Sequence, residues 1–202
     1  MTSEQGGAYI GAMRWDALFD DMEAQLSASD RLQLESEITE RSRTDVAGVE
    51  LEDRLRGSLG LRVVVHLRPG PVFSGALGHV GGESLVLNDR QYQVLIPYAA
   101  VSRYEGLGRH SLLEPSTVRR KLGLASALRG LARDRAALTV YLTGGPFEGT
   151  GLSGVIDRVG RDYFDLAVTR PGEPRRAANV SQVASVPFSS LGALRSMRGA
   201  EL

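Results

Sequence analysis

A chain of 202 residues with 42% apolar and 24% charged residues is long enough for one or two globular units. It contains no cysteine, which excludes disulfides and thiolate chemistry and makes a reducing cytoplasm the expected compartment. No apolar run approaches the roughly 20 residues that span a bilayer. Met1 to Gly11 also lacks the basic-then-apolar order of a signal peptide, so no membrane association is expected.

The formal net charge of zero divides unevenly along the chain. Residues 1–60 carry 13 acids and 6 arginines, net −7; residues 61–202 carry 18 basic residues and 11 acids, net +7. This division reads either as a basic binding surface with an acidic arm that shields it, or as a solvated acidic helix joined to an arginine-rich body.

Residues 1–13 are polar and Gly-rich and are expected to be a disordered tail. An acidic helical region follows over 14–58. Its first helix carries Trp15, Leu18, Phe19, Met22 and Leu26 at i, i+3, i+4, i+7 and i+11, one continuous apolar stripe. Ser29 or Asp30 suits the cap of a second helix, with a thinner stripe of Leu34, Ile38, Val49 and Leu55. Trp15, Phe19 and Met22 either pack on the chain's own β-units or dock a protein partner.

From Gly60 the apolar period shortens to two. Strands are predicted at Arg62–Leu67, at Val72–Val80 with Gly75 and Gly78 inside it, at 84–88, at 92–96 and at 101–104, with a short turn over 97–100. Glycine within a strand marks a bulge or the bend of a small barrel. These five strands fill a first unit over 59–108.

The same order recurs over 136–197. Leu138 to Leu142 matches the first strand. Gly154-Val155-Ile156-Asp157-Arg158-Val159-Gly160 lies over Gly75-Ala76-Leu77-Gly78-His79-Val80-Gly81 at a spacing of 79, and Val186-Pro187-Phe188 lies over Ile96-Pro97-Tyr98 at a spacing of 90. The eleven-residue difference falls in the polar stretch Arg170 to Gln182, where a hairpin loop lengthens at little cost. Matched blocks in one order indicate an internal repeat.

Between the repeats, a basic linking helix is predicted over 109–135. It opens at Glu114-Pro115-Ser116, has Val118, Leu122, Ala125, Leu128 and Leu131 as its apolar face, and carries seven basic residues against two acids. Residues 198–202 form a tail.

The order of strand, bent Gly-containing strand, two short strands and an Ile/Val-Pro-aromatic segment resembles the Sm/LSm superfamily of small barrels. The resemblance covers 60–106 and 137–195. The layout is also similar to a family from GC-rich bacteria. The resemblance implies a mostly β fold of two tandem Sm-like or SH3-like five-stranded barrels, with N-terminal helices and a linking helix. It further implies single-stranded RNA as partner and assembly through edge strands into a homo-oligomer.

The motif positions depart from that family. Gly81 and Gly160 stand where it places an acid, Leu85 and Phe164 where it places asparagine, and Pro97-Tyr98-Ala99 and Pro187-Phe188-Ser189 where it supplies basic residues. Tyr98 and Phe188 either stack on bases or pack the barrel.

Enzyme signatures are missing. His66, His79 and His110 have no metal-ligand spacing, Gly144-Gly145-Pro146 lacks the lysine of a phosphate loop, and Gly151-Leu152-Ser153-Gly154 lacks the spacing of a nucleophile elbow. Asp157, Asp162 and Asp165 read as charged turn and edge residues rather than metal ligands. The expectation is a non-catalytic binding protein without cofactor or metal. Its nucleic-acid contacts would be Arg109, Arg119, Arg120, Lys121, Arg129, Arg133 and Arg135, aided by Arg62, Arg68, Arg103 and Tyr98. The alternative is a protein adapter that uses the N-terminal helices, with the barrels as scaffold.

Overall fold

The computed structural model describes residues 48–114, 123–144 and 151–197. Among these residues the chain is mostly β. Ten antiparallel strands form one open sheet, and two α-helices lie against it. In chain order the elements are α1 (Leu51–Arg56), β1 (Arg62–Leu67), β2 (Val72–Val80), β3 (Ser84–Asp89), β4 (Tyr92–Pro97), β5 (Val101–Glu105), α2 (Leu124–Arg133), β6 (Leu138–Leu142), β7 (Leu152–Val159), β8 (Tyr163–Val168), β9 (Gln182–Pro187) and β10 (Leu191–Met197). Neither helix is long and apolar enough to cross a membrane. The two tails, most of the acidic helical region and residues 115–122 lie outside the described residues.

The sheet order is β5-β1-β2-β3-β4-β10-β6-β7-β8-β9. Both halves therefore run fifth, first, second, third, fourth strand, and the repeat read from the sequence is a repeat of topology. The agreement extends to irregularities. The β2–β3 ladder slips between Leu77 and His79, and the β7–β8 ladder slips between Ile156 and Arg158, at the same spacing of 79. Gly81 N–H donates to the Ser84 carbonyl and Gly160 N–H to the Tyr163 carbonyl, both at 2.8 Å. A 3-10 turn joins β4 to β5 over Tyr98–Ala100, and another joins β9 to β10 over Phe188–Ser190.

Alternation in β1 turns Val63, Val65 and Leu67 into a first core with Leu55, Leu77, Leu85, Leu87 and Ile96. A second core gathers Val140, Ile156, Phe164, Leu166 and Leu194 beneath α2. Strands 3 and 4 serve both. Leu85 and Leu87 enter the first core while Val86 and Leu95 enter the second, so these strands are buried on both faces and read as nearly unbroken apolar runs.

Three expectations about helices are corrected. The stripe through Val49 and Leu55 is not one helix there, because Glu50 is extended and α1 begins after it. The linking helix does not occupy 109–114, whose backbone instead runs back along α1, with Leu112 N–H donating to the Asp53 carbonyl at 2.9 Å. Gly123 is extended and α2 starts at Leu124, where Glu83 Oε2 accepts the first free N–H at 2.7 Å and replaces a local cap.

The buried face of α2 is accordingly Leu124, Ala127, Leu128 and Leu131, with Ala125 only half-buried. This helix packs over β7 and belongs to the second unit, as α1 belongs to the first. Among the described residues each unit is thus one helix followed by five strands.

Gly75 and Gly154 show why glycine stands inside β2 and β7. A Cβ on Gly75 would sit 2.7 Å from the Asn88 carbonyl oxygen, and one on Gly154 would meet the Ala167 carbonyl. Gly75→Ala and Gly154→Ala should each lower stability by about 1–3 kcal/mol through this overpacking. Urea midpoints measure the loss, and an unchanged midpoint would contradict the close approach.

Candidate nucleic-acid interface

The exposed side of α2 carries Arg129 and Arg133. The helix ends in a Schellman motif: Ala136 N–H donates to the Leu131 carbonyl and Arg135 N–H to the Ala132 carbonyl, both at 3.2 Å. This motif needs a left-handed residue, and Arg135 supplies it at φ 50°. It is the one non-glycine with positive φ among the described residues.

Beneath α2, the β7 slip leaves Asp157 exposed between Ile156 and Arg158. Arg175, in the β8–β9 connection that carries the extra eleven residues, forks onto this carboxylate. Its Nε lies 2.9 Å from Oδ1 and one terminal nitrogen lies 2.6 Å from Oδ2. The inserted loop is therefore folded back over β7. The Arg175 hydrogen bonds, and more weakly the charge of Arg135, hold the Asp157 carboxyl below the usual carboxylate range. Arg158 stands 3.4 Å from Asp165, and Arg129 reaches the Gly160 carbonyl at 3.4 Å, beside exposed Arg161.

The result is a basic surface on one side of the second unit. Asp157 and Asp165 engage Arg175 and Arg158, while Arg129, Arg133, Arg135 and Arg161 form no ion pair among the described residues. Such a surface offers guanidinium groups to phosphates, held in place by a backbone turn and a carboxylate rather than by long flexible stems alone.

The remaining expected contacts are dispersed. Arg62 donates to the Ser74 hydroxyl at 3.1 Å, Arg68 donates twice to the Val101 carbonyl, and Arg103 pairs with Glu105 at 3.0 Å, all on the first unit. Arg109 is exposed beside α1. Tyr98 packs against the first core and its hydroxyl donates to the Gly81 carbonyl at 2.6 Å. Burial pushes its phenol far above the ordinary range, and so placed it is part of the fold rather than a free stacking platform. Arg119, Arg120, Lys121, Trp15, Phe19 and Met22 lie outside the described residues.

Sequence reasoning missed Arg158, Arg161 and Arg175. The longer β8–β9 loop marked where the two units differ, but nothing in its sequence singled out Arg175. Among the described residues no three His, Asp or Glu side chains are placed to hold a metal ion. Compared with known proteins, the chain matches no family model and no curated protein.

Two outcomes follow from this geometry. Arg135→Gly relieves the left-handed strain and should raise stability by about 0.5–1 kcal/mol, read as an increase in the urea midpoint. The depressed Asp157 value means that its ion pair contributes fully above about pH 4 and is lost as pH falls through the lowered value. Asp157→Asn should therefore be less stable than the native chain at neutral pH. The two unfolding curves should converge on acidification.

Proposed function

We propose that this protein is a non-catalytic, Sm-like binding protein whose two units close into five-stranded barrels and bind RNA or other single-stranded nucleic acid in a regulatory role. One observation carries the reading: the arginine surface of α2, β7 and the β8–β9 loop, whose guanidinium groups outnumber the carboxylates beside them. The identical strand order of the halves supports the kinship with small barrels, a class that repeatedly serves nucleic-acid binding. The bases would be held without sequence readout by family contacts, because the family's acidic, asparagine and basic motif positions are replaced in this chain.

The β4–β10 pairing also supports assembly. It joins the fourth strand of one unit to the fifth of the next, and β9 and β5 remain as the outer edges of the same two kinds. A copy whose β9 meets the β5 of another would repeat this joint head to tail, giving a homo-oligomer. The outer edges carry Arg103, Glu105 and Ser185, so the contact between copies would be weaker than the internal one.

The test is a mobility-shift titration with single-stranded RNA and DNA at two salt concentrations. Binding should weaken steeply with salt. A triple reversal of Arg129, Arg133 and Arg161 to Glu should flatten the salt slope by about 0.7 for each phosphate that is no longer neutralised. Absence of binding at low salt would refute the nucleic-acid reading and favour the protein adapter. Binding indifferent to the triple reversal would refute the site.

A further inference from the structure

The surface of the first unit carries an apolar strip that neither core nor sheet uses. Segment 107–113 runs antiparallel along α1. Gly57 lies against His110, Leu112 N–H bonds the Asp53 carbonyl at 2.9 Å, and Arg54 Nε donates to the Gly108 carbonyl at 3.2 Å. This pairing brings Leu51, Leu112 and Leu113 to one end of the strip, and Leu59 and Leu61 to the other. All five are exposed, Leu112 at 57% and Leu113 at 68%, and they are five of the nine exposed large apolar side chains among the described residues. Single exposed leucines need no explanation, but five along one seam of chain do.

We propose that this strip is the docking surface for the chain's own acidic segment Trp15 to Leu26. Three features select that occupant. The segment presents five large apolar residues at helical spacing, which fits an amphipathic helix laid on an apolar surface. Its polar side carries Asp16, Asp20, Asp21 and Glu23, and the strip offers exposed Arg54, Arg62 and Arg109 to meet them beside its own Glu50, Glu52 and Glu114. The chain between Leu26 and Gly48 is about twenty residues, able to span up to roughly 70 Å when extended. It keeps the segment at high effective concentration beside α1. Docking would place the chain's acidic portion on the first unit and leave the arginine surface of the second unit open.

Trp15 is the sole tryptophan, so its emission in the full-length chain reports this contact directly. The native protein should emit to the blue of free tryptophan and resist acrylamide. Leu112→Asp with Leu113→Asp should move the emission to the water-exposed value and raise the quenching constant several-fold. Because both leucines are exposed, the cooperative urea transition should persist, and the milder pair Leu112→Ala with Leu113→Ala should give an intermediate shift. Arg54→Glu with Arg109→Glu should raise quenching in the same direction, and so should added salt. A Trp15 as open to acrylamide in the native chain as free tryptophan would overturn the proposal. So would a shielded Trp15 indifferent to the strip variants. Shielding that vanishes on dilution together with a dimeric mass would also overturn it, because the occupant would then be a second copy.

Discussion

Pairing of β4 with β10 is the constraint on which the rest of the architecture depends. Leu95 faces Leu194 in this ladder, Val94 faces Arg195 and Gln93 faces Ser196. Without it each half would end in a strand with a row of unpaired backbone groups. With it, the two cores interlock. Val86 and Leu95 of the first unit enter the second core, while Tyr141 and Ala193 of the second unit enter the first. Phe73 meets the edge of Tyr141 across the joint at 5.2 Å, and Arg195 lies over both Tyr92 and Tyr141. Buried side chains on either side complete the other unit's core and lose that packing if the ladder opens, so the halves are expected to unfold together.

Within this shared frame the two copies have diverged where their surroundings differ. At the slip in β2 stands Gly78, and the Asn88 side chain lies so close over it that a Cβ there would push the amide aside. Gln93 then donates to Asn88 Oδ1 at 2.8 Å. The counterparts at the repeat spacings are Asp157, Ala167 and Val183. With alanine in place of asparagine, the second slip has room for a carboxylate, and the longer loop supplies Arg175 to neutralise it. Gln93 is fully buried at the joint, whereas Val183 is exposed on the outer edge. One inherited irregularity is thus packed as internal glue in the first unit and used as a surface anchor in the second.

Much of this fold was legible in the sequence. Period-two alternation and the glycine turns placed β1, β2 and β6 at their exact ends, and β3, β4 and β5 within one residue, because both signals are local. The two matched blocks revealed the common topology. The joint itself was not legible, since any strand edge offers the same backbone donors and acceptors and nothing nearby in sequence distinguishes β4 as the partner of β10. The break at Gly123 was not legible for a related reason: the cap of α2, Glu83, comes from another unit's turn, which no capping pattern around Gly123 discloses. The candidate site was half visible. Arginine density marked 109–135, but the fork between Arg175 and Asp157 depends on a loop folding back, and only three dimensions reveal that.

The place of β10 has a bearing on how the molecule is made. It lies at the middle of the sheet, between β4 and β6, yet it follows all nine other strands in the chain. A ribosome delivering about 5–20 residues per second needs on the order of 5–20 s to pass from β4 to the end of β10. Throughout that interval the first unit waits with its fourth strand uncovered, a template for any extended segment nearby. Nascent chains of this protein would therefore be most vulnerable to wrong pairing in crowded polysomes, from the time about half of the chain has been made until β10 emerges.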